Sequence, residues 1–136
     1  MVALINWDPS YSVNINSIDT QHKKLINMIN NLHEAMLQGR GKEVLGSIFN
    51  ELASYTIYHF NHEEELFAKY DYMEQNKHKA EHERLIAQVN DLKNNFNKGG
   101  SVLTMEVMNF LKLWLSDHII GSDKKYSSFL NERGVN

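Results

Sequence analysis

Four apolar seams at helical spacing run through this sequence, and each of them contains a histidine. The first is His22, Leu25, Ile29, Leu32 and Met36, with Ile26 and His33 beside it. The second is Leu45, Ile48, Leu52, Tyr55 and His59, then His62 or Glu63, then Leu66. The third is His78, His82, Leu85, Val89, Leu92 and Phe96, and the fourth is Leu103, Val107, Phe110, Leu111, Trp114, Leu115 and His118. Recurrence every three or four residues marks amphipathic helices. The strict 3.5-residue repeat of the third seam belongs to helices packed at a shallow angle. No strand pattern and no internal repeat competes. The expected fold is therefore all-α: an antiparallel up-down-up-down four-helix bundle over residues 19–120, with an extended N-terminal arm (1–18) and a short C-terminal segment (121–136).

Local chemistry suggests the boundaries. The only proline, Pro9, and the alternating Tyr11, Val13 and Ile15 read as an arm whose apolar residues, with Trp7, pack across helix ends. Asp19 is expected to cap the first helix, and Gly39-Arg40-Gly41 to end it. The second helix is expected from about Lys42 to Lys69. Asp71 followed by Glu74 resembles a capping box for the third. Asn97-Lys98-Gly99-Gly100 ends that helix, with Ser101 or Thr104 as caps for the fourth, and Gly121 is expected to weaken or bend the fourth helix near its end.

Antiparallel connection has a consequence for the histidines. The first helix runs away from His22 and the second returns to His59; the third leaves from His78 and His82, and the fourth returns to His118. Five imidazoles thus gather at one level of the bundle, together with Glu63 and Asp123. Burying them without a cation would carry a desolvation cost of some kcal/mol for each unpaired group, whereas a metal centre supplies the charge and fixes the geometry. His59 and Glu63 are four residues apart, as are His78 and His82, so each pair projects from one helix face. Imidazole and carboxylate without sulfur suit iron, zinc or manganese. Seven ligands are too many for one ion, and two ions bridged by carboxylates would use them all.

Other residues compete for these roles. His62 lies three residues after His59, and spacing alone leaves it open as a ligand. His33, three turns deeper than His22, reads as a core or boundary residue. Glu64, Glu65, Glu81 and Glu83 read as solvated helix charges. No glutamate precedes a histidine by three, so the di-iron pattern of ferritin-like bundles is absent.

Composition narrows the function. The chain has 136 residues, enough for one core. Its net charge of −3 offers no basic footprint for nucleic acid. Without cysteine there is no disulfide scaffold, thiolate metal site or thiol catalysis. No apolar run approaches the roughly 20 residues that span a bilayer, and no basic, apolar leader opens the chain. A cytoplasmic protein with no nucleic-acid or membrane partner is expected.

The motifs Asp19-Thr20-Gln21-His22-Lys23-Lys24-Leu25, His59-Phe60-Asn61-His62-Glu63-Glu64, His78 with His82, and Trp114-Leu115 followed by His118-Ile119 and Asp123 are weak singly. In this order they are specific, and the chain resembles the hemerythrin family from Trp7 to about Tyr126. The resemblance implies a non-haem di-iron centre, two iron ions with an oxo or hydroxo bridge, that binds dioxygen reversibly as hydroperoxide for storage, delivery or scavenging. It implies that His78, His82 and His118 complete one iron, that His22 and His59 bind the other, and that Glu63 and Asp123 bridge them. The family pattern does not use the position of His62. Oxygen would bind at the two-histidine iron, in a dry pocket whose walls, on family position and helix phase together, are Leu25, Phe60, Trp114, Leu115 and Ile119. The loop before His78 departs from many relatives in having Tyr70-Asp71-Tyr72-Met73 where they carry a proline.

In this reading Asp123 poses a geometric problem. Five residues on a regular helix diverge by roughly 140°, so Asp123 bridges only if the helix distorts near Gly121; an ideal helix would present Ser122 instead. Two alternatives accompany oxygen binding: an oxygen or redox sensor domain, and a di-iron enzyme acting on peroxide or nitric oxide. With no signalling module in the sequence and few carboxylates for oxygen activation, the expectation is a non-enzymatic oxygen binder and a monomer.

Overall fold

The computed structural model describes residues 3–98 and 105–136. Its helices are α1 (Asn16–Leu37), α2 (Lys42–Lys69), α3 (Gln75–Asn97), α4 (Met105–His118) and α5 (Lys124–Glu132). A single π turn, Ile119–Asp123, joins α4 to α5. No strand occurs among the described residues. α1 packs on α2 and on α4, and α2 packs on α3; the Trp114 indole N–H donates to the Leu85 carbonyl and ties α4 to α3. The molecule is an all-α four-helix bundle, as the seams require. The fourth-helix cap candidates Ser101 and Thr104, and Leu103 of the fourth seam, lie outside the described residues.

The apolar seams form two clusters. The larger fills the bundle with Leu25, Ile29, Leu32, Phe49, Leu52, Phe60, Val89, Met108, Leu111 and Leu115 among others. The smaller closes the end where the histidines gather: Val13 and Ile15 of the arm, Ile18, Phe67, Tyr72, Tyr126 and Leu130. The arm does pack across helix ends, with Ile5 buried in the larger cluster and Trp7 and Tyr11 against it. It is not extended throughout, because Pro9–Tyr11 form a tight turn capped by the Asp8 side chain. The C-terminal segment is more than a short tail. α5 is amphipathic and buries Tyr126 and Leu130.

Two helix starts differ from expectation. α1 begins at Asn16, three residues before Asp19, and its cap position, Ile15, offers no side-chain bond. The Asp19 carboxylate instead accepts from the Val13 N–H (2.9 Å) and the Ser12 hydroxyl (2.6 Å), pinning the arm to the first turn. The capping box at Asp71 and Glu74 does not form. Asp71 has a φ of 53° and ends α2 rather than starting α3. The Tyr72 N–H reaches back to the Phe67 carbonyl at 2.9 Å, and the Tyr72 ring packs on Phe67. That is a Schellman ending, with aspartate in the left-handed position where glycine is usual. It is also what this loop has in place of a proline. α1 ends the same way with a glycine: Gly39 has a φ of 67°, and Arg40 N–H bonds to the Ala35 carbonyl.

Candidate metal centre

Each helix delivers its polar residues to one buried layer. α1 brings His22; α2 brings His59 and Glu63, one turn apart; α3 brings His78 and His82, again one turn apart; α4 ends on His118. Asp123 arrives through the π turn. There the Lys124 N–H bonds to the carbonyl of Ile119, five residues back. In a turn closed from i to i+5, the fifth residue comes round beneath the first, as the fourth does in an α-helix. Asp123 therefore falls under His118, and their side chains approach to 3.0 Å. The distortion expected near Gly121 takes this form, with the chain remaining helical on both sides.

All seven residues are buried, and Glu63 and Asp123 completely so. Donor atoms of Glu63, His78, His82, His118 and Asp123 lie within 4.8 Å of one another, as do those of His22, His59, Glu63 and Asp123. Both carboxylates belong to both groups. Imidazole Nε2 atoms stand 2.9–3.3 Å from the carboxylate oxygens. Yet the Nε2 atoms of all five histidines, Oε1 of Glu63 and both oxygens of Asp123 have no hydrogen-bond partner of acceptable geometry. Each buried polar atom left so costs about 1–3 kcal/mol. Such a concentration of inward-facing lone pairs, all nitrogen or oxygen, fits a bound cation and fits little else.

The far sides of the rings support this orientation. Nδ1 of His82 lies 2.9 Å from Glu64, Nδ1 of His118 lies 2.8 Å from Glu81, and Nδ1 of His59 lies 2.6 Å from the Gln21 amide oxygen. An Nδ1–H donated outward fixes the tautomer that leaves an Nε2 lone pair facing inward. Glu64 and Glu81 are thus not merely solvated charges, as their polarity suggested. The Ser122 hydroxyl, inside the π turn, lies 2.9 and 2.7 Å from the two oxygens of Glu81 and donates its one proton to that carboxylate. The Tyr126 hydroxyl donates to Oε2 of Glu63.

The electrostatics are those of a site poised for positive charge. Burial would push the Glu63 and Asp123 carboxyls up, and the surrounding imidazoles, His59 and His82 for Glu63 and His118, His22 and His78 for Asp123, hold both below the ordinary range. Burial would lower His118, but Asp123 and Glu81 raise it to about 10. His59 is lowered, chiefly by burial. The hydrogen bond from His118 brings Glu81 down to about 2. Burial, reinforced by Glu63, pushes the Tyr126 phenol well above its usual value.

The remaining candidates sort clearly. His62 is half-buried, turned away from the layer, and within 3.2 Å of the Ser17 hydroxyl. His33 is buried in α1, away from both groups of donors. Leu25, Phe60, Trp114, Leu115 and Ile119 are all buried in one apolar cluster. Phe60 stacks flat on the His82 ring, centroids 3.8 Å apart, and packs at a tilt against His59 and His118. Sequence reasoning missed Gln21, Ser122 and Tyr126 as partners of the site and read Glu64 and Glu81 as solvated helix charges. The available signal was adjacency: Gln21, Glu64 and Glu81 each sit next to a seam residue, about 100° round the helix, where the neighbouring helix begins.

The family model of the hemerythrin HHE cation binding domain matches residues 13–130. The chain is similar to a bacteriohemerythrin of Methylococcus capsulatus, 32% identical over 131 residues that cover 96% of this chain and 99% of the relative. It is also similar to a hemerythrin-like protein of Naegleria gruberi, 35% identical with 92% of each chain covered. A solved structure of wild-type hemerythrin matches with a TM-score of 0.87 at 31% identity, covering 93% of this chain and 97% of that one.

Proposed function

The chain belongs to the hemerythrin family, and on that premise we propose that its buried layer holds two iron ions and binds dioxygen reversibly, for storage, delivery or scavenging. The observation that carries the reading is the set of inward-facing, unpartnered donors in two overlapping groups that share Glu63 and Asp123. His78, His82 and His118 would hold one ion, His22 and His59 the other, with both carboxylates shared. When bound, a ferrous pair would supply the electrons for reversible oxygen binding.

The chain's own contribution is orientation and exclusion. Outward hydrogen bonds at Nδ1 hold His59, His82 and His118 in the ligating tautomer. Tyr126 occupies Oε2 of Glu63, so its carboxylate is fixed before any ion arrives. Leu25, Phe60, Trp114, Leu115 and Ile119 place apolar surface around the donors, offering no side-chain acid and little room for water. That favours a bound gas over its reduced products. No helix among the described residues is long and apolar enough to cross a membrane.

The test is oxygenation of the iron-loaded, reduced protein followed by removal of oxygen under vacuum. A visible spectrum that appears with oxygen and reverts without added reductant supports the reading. Continuous oxygen consumption, or oxidation that no vacuum reverses, contradicts it and points to an oxidising enzyme.

A further inference from the structure

The two groups of donors are backed differently on the side facing away from the site. In the three-histidine group, His82 and His118 each meet a glutamate at Nδ1, at 2.9 and 2.8 Å. In the two-histidine group, His59 meets the neutral amide of Gln21, and Nδ1 of His22 is buried with no partner. We infer that Glu64 and Glu81 are positioning residues that make the three-histidine position the tighter of two metal positions and the first to fill. The inference rests on the two-metal reading above.

The physical ground is charge and rigidity. A carboxylate accepting the Nδ1–H draws the proton outward and makes Nε2 a more basic ligand; an amide oxygen does so less, and an absent partner not at all. Glu64 and Glu81 are each about a quarter exposed, so water reaches both carboxyls. Glu81 is held in place by the Ser122 hydroxyl, which lies within 2.9 Å of both its oxygens. That bond pattern also ties the ring of His118 to the π turn that delivers Asp123, so one carboxylate orients two donors. Three imidazoles against two already favour the same position, so the glutamates must be separated from ligand number by substitution.

The experiment challenges the cobalt(II)-loaded full chain with a graded chelator, following metal content and ligand-field absorption. The unaltered chain should release two equivalents in two steps. Glu64→Gln and Glu81→Gln keep an acceptor oxygen at Nδ1 but remove the charge. Each should weaken the tighter step roughly 10–100-fold, leave the weaker step in place, and shift only the ligand-field bands of the tightly held ion. A tighter step unchanged within twofold in both variants, or weakening confined to the other step, overturns the inference while two metals remain bound. Saturation of the unaltered chain at a single equivalent overturns the two-metal reading itself, and the inference with it.

Discussion

Leu115 is where packing and proposed function meet most closely in a single side chain. It is buried in the large apolar cluster, three residues before His118 on the same face of α4. Leu115→Ala removes apolar wall and opens space that water can enter. The expected outcome is autoxidation of the oxygenated, iron-loaded protein several-fold faster, with a stability loss of about 2–5 kcal/mol, measured by spectral decay and by denaturation. An unchanged decay rate would place Leu115 outside the pocket. At this scale the seam residues were legible because burial at period 3.6 leaves a mark in sequence. Glu64, Glu81 and Gln21 were not, because polarity beside a ligand looks the same whether the side chain faces water or a neighbouring helix. Only the register of α1 on α2, of α2 on α3 and of α3 on α4 decides that.

Among the elements, the π turn does what no regular helix could. Gly121 lies within it, exposed and with open space where a Cβ would stand. The sequence flagged that a distortion was needed there, since Asp123 is out of phase by roughly 140° on an α-helix, but it did not determine that the chain would stay helical into α5. Removing Gly121 should convert the π turn to an α turn and leave the carboxylate four residues after His118, still facing the layer. Metal analysis of that variant is expected to show both ions retained; loss of either ion would show that the layer needs the π turn itself and not only a carboxylate in phase with His118. The α2 ending illustrates a misreading with a physical cause. Aspartate is common both at helix starts and in left-handed positions, and here the second use prevails because Tyr72 gains a packing site on Phe67. Asp71→Gly, at an exposed position that needs a φ of 53°, should raise stability by about 0.5–1 kcal/mol, seen as a melting temperature a few degrees higher.

Across the whole molecule, the bundle carries a layer of charge and imidazole that is stable only within limits of pH unless metal is present. In the metal-free protein, Glu63, Asp123 and Glu81 sit below their unfolded values, so their contribution is present above about pH 4 and fades as pH falls. His118 is raised from 6.5 to about 10, so its contribution is complete below pH 6.5 and lost as pH rises towards 10. His59, lowered, adds an acid-side loss below pH 6.5. Metal-free protein should therefore be most stable near pH 6.5 and weaken on both sides, as urea midpoints between pH 4 and pH 10 would show. Bound metal replaces the proton on His118, so the alkaline decline should vanish in the loaded protein, while acid should release the metal. A metal-free profile flat from pH 6.5 to 10 would contradict the charge network described for His118, Asp123 and Glu81. The central claim, that this layer holds an iron pair that takes up oxygen reversibly, is tested most directly by resonance Raman spectroscopy of the reduced, iron-loaded protein exposed to isotopically labelled dioxygen. The account predicts an oxygen-isotope-sensitive band that disappears when oxygen is withdrawn and returns on re-exposure; two irons bound with no such band would contradict it.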